Sequence, residues 1–232
     1  RLSIIDTRSI GRQPMCHHSG QVWIVFNGEF YGYREAKRDL VARGHKFQTE
    51  TDTEVILALY MEHGLDFLSH IDGMFSFALW DKDRKRLVLA RDRMGIKPLF
   101  YSILPDGSAI FGSEIKALLA SKRIDDGIDV QAHHDYLGLN YVPGPRTMLQ
   151  GIKKLSPGHS LVWTPDGFRH HRYWVHPLES DPVEGKPPSF RSAAQAVFGE
   201  LNRAVEKRLV SDVPLGMFLS GGIDSTAVLM AM

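Results

Sequence analysis

Residues 22–31 run Val22-Trp23-Ile24-Val25-Phe26-Asn27-Gly28-Glu29-Phe30-Tyr31, an unbroken apolar block that gives way to an amide, a glycine and a carboxylate. The block Val22–Phe26 is rich in β-branched and aromatic residues, which suits a strand covered on both faces. The pair after it, Asn27-Gly28, has two readings. Asn-Gly is the commonest pair of a type I′ hairpin turn. Alternatively, Asn27 offers a side-chain amide and Gly28 an unencumbered backbone N–H to an oxyanion developing beside the strand. Taken alone, the pair favours the turn.

Outward from this stretch, Phe75–Trp80 is a second continuous apolar run, and Arg86–Ala90, Leu99–Leu104 and Ala109–Phe111 are shorter strand candidates. Turns such as Pro105-Asp106-Gly107 separate them, which implies a mostly antiparallel sheet. Thr51 and Glu54 have capping-box spacing, Val55, Ile56, Leu59 and Tyr60 then make an apolar stripe, and Gly64 is placed to stop the helix. Further helices are expected over Tyr33–Ala42, Ile115–Ala120 and Val130–Leu137, covering the sheet faces. Residues 160–174, with a turn at Pro165-Asp166-Gly167, read as a hairpin closing a first domain. His176–Pro188 is rich in proline and acidic residues and reads as a linker. Beyond it Ala194, Val197, Phe198, Leu201, Val205 and Leu209 recur at helical spacing, and Leu215–Leu219 reads as a strand.

Of the 232 residues 43% are apolar and 24% charged, the balance of a folded domain. The net charge of +1 argues against binding nucleic acid or a membrane surface through electrostatics. No apolar stretch approaches the roughly 20 residues that cross a bilayer. A single cysteine, Cys16, and the lack of a signal peptide make a reducing, cytoplasmic setting the expectation. The chain begins at Arg1 and stops at Met232 inside an apolar helical pattern, so an internal piece of a longer protein is expected.

Ser220-Gly221-Gly222-Ile223-Asp224-Ser225-Thr226 lies between the expected strand and an apolar helical segment. Adjacent glycines let a backbone approach phosphate closely, and hydroxyls and unpaired N–H groups at a helix start attract the anion. Asp224 would oppose a phosphate unless a divalent cation lay between them, which points to Mg²⁺. A plain strand-to-helix turn would use the same glycines for geometry alone. The histidine pairs His17/His18, His133/His134 and His170/His171 lack the spacing of a helical metal site and read as surface residues. The mixed run Asp81–Arg86 reads as a solvated hairpin turn.

The string SGGIDST after a strand resembles the PP-loop of ATP pyrophosphatases. Arg1-Leu2-Ser3-Ile4-Ile5-Asp6, NGEFY at 27–31, Thr51–Ile56, GMFSFALWD at 73–81 and Arg91–Leu99 occur in the order seen in class II glutamine amidotransferases. The two together resemble glutamine-hydrolysing asparagine synthetase over the whole chain. The resemblance implies an α+β N-terminal-nucleophile hydrolase sandwich of two antiparallel sheets between helices, over residues 1–175. A linker at 176–190 and the start of an α/β PP-loop domain at 191–232 would come next.

By the same resemblance, Arg1 pairs with the α-carboxylate of glutamine, and Leu2, Ile4 and Ile5 lie on that pocket-lining segment, although their side chains could equally be core. Asp52 and the backbone at Glu29 bind the α-ammonium group. Asn27 and Gly28 form the oxyanion hole, and Leu219, Ser220, Gly221, Gly222, Asp224 and Ser225 hold ATP, with Asp224 near Mg²⁺. Glutamine hydrolysis would supply ammonia to an aspartyl adenylate, giving asparagine, glutamate, AMP and pyrophosphate. The implied partners are these small molecules, and a homodimer is compatible with the family.

The family's nucleophile, an N-terminal cysteine, matches no residue here. Cys16 lacks a free α-amino group and sits among Met15, His17 and His18, which match no nucleophile motif. The chain by itself is therefore expected not to hydrolyse glutamine, and neither half-reaction to be complete. Gly32 stands where the family usually has Asn, with a small loop effect expected. Two rival functions remain: an amidotransferase acting on another carboxylate in polysaccharide or secondary metabolism, and a glutaminase-dead module that binds a partner or ligand without turnover.

Overall fold

The computed structural model describes residues 4–179 and 187–232. Strands β1 (Met15–Cys16), β2 (Val22–Tyr31), β3 (Asp72–Asp81), β4 (Arg86–Arg91), β5 (Phe100–Ile103), β6 (Ala109–Gly112), β7 (Lys153–Lys154), β8 (His159–Thr164) and β9 (Gly167–Arg172) form two antiparallel sheets. The larger has the order β1-β2-β3-β4-β8-β9 and the smaller β6-β5-β7. Helices α1 (Tyr33–Ala42) and α2 (Asp52–His63) cover one face of the larger sheet, joining Ile24, Phe26, Phe75, Phe77 and Leu79 in the main core. On the opposite face Ala78, Leu89 and Leu161 meet Leu99, Tyr101 and Leu155 beside the smaller sheet. Helix α3 (Ile115–Leu119) packs behind β5 and β6 through Leu118, and α4 (Val130–Leu139) comes after it. Helices α5 (Phe190–Arg208) and α6 (Ile223–Ala231) lie beyond the sandwich in sequence.

Strand β3 is central, and Phe75–Leu79 are buried on both faces, as a continuous apolar run requires. Strand β2 differs from expectation in two respects. It alternates, with Val22, Ile24 and Phe26 buried but Trp23, Val25 and Asn27 exposed, because the described residues of the smaller sheet do not cover that side. It also does not end at Phe26: Asn27 pairs with Ser76, Gly28 with Phe75 and Glu29 with Met74, so the hairpin-turn reading fails. Gly28 is required by close approach instead. A Cβ there would lie 2.0 Å from the Met74 carbonyl oxygen and 2.7 Å from the Phe75 Cα.

Helix α2 starts where its sequence says. The Thr51 hydroxyl accepts from the Glu54 N–H at 3.2 Å, and Gly64, at φ +59, ends the helix. The reciprocal half of the capping box does not form. The Glu54 carboxylate accepts instead from the Gln48 and Thr49 N–H groups at 2.9 and 2.7 Å, which folds the preceding loop onto the helix start. The helix is also buried all round from Asp52 to Tyr60 rather than along one stripe, since it sits between β2, α1 and the helical turn after it. Gly32 caps α1 at φ 71, ψ 10, the left-handed region that Gly and Asn tolerate best.

Several other expectations change. Residues 215–219 form no strand, because among the described residues no sheet edge lies beside them to pair with. His17 is buried, with Nδ1 2.9 Å from the Ser19 hydroxyl, whereas His18, His133, His134, His170 and His171 are exposed. Residues 82–85 make the expected exposed turn between β3 and β4, but Asp81 at its head is 1% exposed, accepting from the Tyr60 hydroxyl at 2.7 Å and the Arg84 N–H at 2.9 Å. The β8–β9 hairpin forms as expected, with Thr164 opposite Gly167. Part of the expected linker, residues 180–186, lies outside the described residues. No described helix is long and apolar enough to cross a membrane.

Candidate functional site

A cavity of about 830 Å³ opens beside β2, and its walls include Ile4, Ile5, Asn27, Gly28, Glu29 and Asp52. These six residues, singled out in the sequence for glutamine recognition and the oxyanion hole, thus meet in one place. Arg1 and Leu2 lie outside the described residues.

The backbone of β2 explains the geometry. N–H groups of alternate residues in a strand point to the same edge. The Phe26 N–H donates to Gln13 Oε1 at 2.7 Å, and the Phe30 N–H donates to Asp52 Oδ2 at 3.1 Å. The Gly28 N–H, midway between them, is directed to this same edge. The missing Cβ of Gly28 allows β2 to lie tightly on β3 while its backbone stays open to the cavity. Asn27 faces the other way round the strand, and its Nδ2 donates to Ser113 Oγ, 3.3 Å away across to the loop after β6.

Asp52 is buried at the first position of α2, and Glu29 is half-buried nearby. Burial pushes the Glu29 carboxyl above its ordinary range, and the Asp52 charge pushes it the same way, against the pull of Lys97 and Arg208. Two carboxylates that disfavour one another across a cavity are relieved by a cation placed between them. An ammonium group fits that requirement.

Gln13, Lys97 and Ser113 also line the cavity, and none of them stood out in the sequence as a site residue. Lys97 belongs to the run Arg91–Leu99, whose first two residues build the loop rather than touch the cavity. The Asp92 carboxylate accepts from the N–H groups of Phe75, Met94, Ile96 and Lys97 at 2.9 to 3.1 Å. The Arg91 guanidinium donates to the carbonyls of Gly95, Lys97 and Leu155 at 2.7 to 2.8 Å. Cys16 is outside the cavity walls: its thiol, pushed up by burial, lies 3.2 Å from the His17 carbonyl oxygen.

The second constellation is separate. Gly222 caps α6, Gly221 is left-handed at φ +78, and the Ser220 and Ser225 hydroxyls are 3.0 Å apart. The Ser225 and Thr226 hydroxyls donate to the Gly222 carbonyl at 3.0 and 2.9 Å, which tightens the turn. Leu219, Ser220, Gly221, Gly222 and Asp224 are exposed, with Asp224 in the first helical turn.

Two packed antiparallel sheets with helices against the larger one, and a cavity at the open edge of β2, are the architecture of a glutamine amidotransferase domain. Residues 1–174 match the family model described as glutamine amidotransferase domain, and the chain belongs to that family. Residues 196–232 match the model described as asparagine synthase. The chain is 42% identical to asparagine synthetase [glutamine-hydrolyzing] 3 of Bacillus subtilis over 98% of its length and 36% of that protein. It is 38% identical to amidase chry2 of Gibberella zeae, over 98% of its length and 33% of that protein. The chain therefore spans about a third of the length of these relatives. A solved structure described as the allosteric regulatory enzyme of purine biosynthesis shares the fold at a TM-score of 0.50 and 19% identity, covering 96% of this chain and 45% of that one.

Proposed function

We propose that this chain is the amidotransferase part, and the beginning of the synthetase part, of a glutamine-dependent asparagine synthetase. The observation that carries the proposal is the convergence of Asn27, Gly28, Glu29 and Asp52 on one cavity, in a chain whose C-terminal residues match an asparagine synthase family. Residues 1–175 form the glutaminase unit, 176–190 the linker and 191–232 the start of the synthetase.

In the glutaminase unit Asp52 and Glu29 attract the α-ammonium group of glutamine, while Ile4 and Ile5 shape the wall along its carbon chain. Arg1 pairs with its α-carboxylate. Attack on the side-chain amide by an N-terminal cysteine thiolate of the full-length protein, which none of these residues supplies, would generate a tetrahedral oxyanion that the Gly28 N–H and Asn27 amide stabilise, for which Asn27 exchanges its Ser113 partner. Breaking the C–N bond then expels ammonia, and water hydrolyses the resulting thioester to glutamate. Ammonia released there serves the synthetase unit. In that unit the backbone of Ser220–Gly222 and the Ser225 hydroxyl cradle the phosphates of ATP at the start of α6, where the helix dipole favours an anion. Asp224, an exposed carboxylate beside two hydroxyls, is a hard oxygen donor of the kind Mg²⁺ uses when most of its shell comes from phosphate and water. The cation would neutralise the pyrophosphate leaving group as the aspartate carboxylate is adenylated.

A second reading, in which the same chemistry serves another carboxylate acceptor, is motivated by a relative of 38% identity that carries a name other than asparagine synthetase. AMP formation by the full-length protein, with and without aspartate, separates the two. AMP that appears only with aspartate supports the first reading, and AMP formation indifferent to aspartate contradicts it.

A further inference from the structure

Helix α5 ends at Arg208, and the segment that leads on to the nucleotide loop stays against the glutaminase unit. Val210 packs on the main core, and Lys207 Nζ lies 2.8 Å from Asp72 Oδ2. The Arg208 guanidinium sits 4.4 Å over the Tyr31 ring, two residues from Glu29. The Ser211 hydroxyl shapes the turn, donating to the Val213 carbonyl at 2.9 Å and accepting from its N–H at 3.1 Å.

At the centre of this contact is Asp212. Its N–H donates to the Ile4 carbonyl at 2.8 Å, and its Oδ2 accepts from the Asp6 N–H at 2.8 Å. The two bonds straddle Ile5, and both Ile4 and Ile5 line the cavity. Residues 4–6 belong to no strand or helix, so no sheet ladder fixes their backbone. Asp6 moreover holds φ 44, a left-handed value uncommon outside glycine though less so for aspartate, and its surroundings hold it there. Those surroundings are the Asp212 carboxylate on its N–H, with Arg8 and the Glu50 N–H on its own carboxylate at 2.6 to 2.9 Å. Glu50 precedes Asp52 by two residues, so the bonds run from Asp212 through Asp6 to the segment that leads into Asp52, another residue lining the cavity.

We infer that Asp212 is a positioning residue of the glutamine pocket, supplied by the segment that carries the nucleotide loop, whose paired hydrogen bonds hold Ile4–Asp6 in their substrate-binding conformation. The inference rests on the glutaminase reading given above. Asp212 touches neither substrate. It acts through the wall, so its loss weakens glutamine binding more than the chemical step, and the synthetase reaction fed with free ammonia bypasses it.

The test is steady-state kinetics of the full-length protein. Asp212→Ala is expected to raise the glutamine KM about fivefold or more while glutaminase kcat changes less than about twofold, the pattern of lost uniform binding. Product formation from ammonia should stay at the wild-type rate. Asp212→Asn keeps an oxygen that accepts from the Asp6 N–H and should bring KM back to within about twofold of wild type. An unchanged KM in Asp212→Ala, or an Asn variant as impaired as the Ala variant, would overturn the inference. Equal loss of the ammonia reaction would overturn it too, by showing general structural damage. A wild-type protein that cannot hydrolyse glutamine refutes the glutaminase reading itself, which distinguishes that failure from the others.

Discussion

Alanine at Gly28 would place a methyl group 2.0 Å from the Met74 carbonyl oxygen and 2.7 Å from the Phe75 Cα, both backbone atoms of β3. A carbon and a carbonyl oxygen come no closer than about 3.3 Å even in favourable contact, so β2 and β3 must part locally by roughly 1.3 Å. Ladder hydrogen bonds near 2.9 Å do not survive such a shift, and losing two of them at about 1 kcal/mol each, with an overpacking cost of about 1–3 kcal/mol, gives about 3–5 kcal/mol. Gly32→Ala is the control. It too replaces a glycine with positive φ, but nothing lies within 4 Å of the new Cβ, so only backbone strain of about 1–2 kcal/mol is expected. Trp23 and Trp80 face one another across β2 and β3, which makes tryptophan fluorescence during urea unfolding a local probe. The Gly28 variant should lose about 1–4 kcal/mol more than the Gly32 variant, the difference between the two estimates. Equal losses would refute the close-approach argument.

Tyr60→Phe removes the hydroxyl that donates to buried Asp81 at 2.7 Å, a phenol that its own burial pushes up to about 12. It should cost about 1–3 kcal/mol in the same unfolding assay, and a neutral result would mean that the Arg84 contacts alone satisfy Asp81. The Arg8 guanidinium holds the Asp6 carboxyl well below the usual carboxylate range, outweighing burial, with the Glu50 N–H assisting. Its native pKa is thus below its unfolded one, and its contribution is present above about pH 4 and lost as the pH falls further. The stability gap between wild type and Asp6→Asn should be widest at neutral pH and shrink in acid, whereas a gap independent of pH contradicts the assignment. Asp52→Asn should raise the glutamine KM of the full-length protein about tenfold or more by weakening the attraction for ammonium, and a normal KM would remove Asp52 from the pocket. Asp224→Ala should abolish ATP–pyrophosphate exchange, and unchanged exchange would remove Asp224 from the nucleotide site.

Boundaries set by local chemistry were legible in the sequence. Thr51 and Gly64 bracket α2 because capping and left-handed backbone are properties of a few adjacent residues, and α1 spans Tyr33–Ala42 for the same reason. Asn27 and Gly28 show where that legibility stops. Their local preference is a turn, and the pairing with Ser76 and Phe75 that overrides it involves a strand some fifty residues away. The burial of Asp81 and His17 depends likewise on Tyr60 and the surrounding core, which no local pattern announces. For the cavity, the motif residues converge, but Gln13 reaches it through a bond to the Phe26 N–H, and Asp212 reaches its wall from 206 positions along the chain. Residues 215–219 illustrate the converse error, since apolar character proposes a strand and only a partner edge makes one.

The most direct test of the proposed function traces nitrogen. The full-length protein is incubated with glutamine labelled with ¹⁵N at its side-chain amide, together with ATP, Mg²⁺ and aspartate. Asparagine carrying the label in its side-chain amide, formed in step with glutamate and AMP, is the predicted result. Glutamate and AMP without labelled asparagine would contradict it.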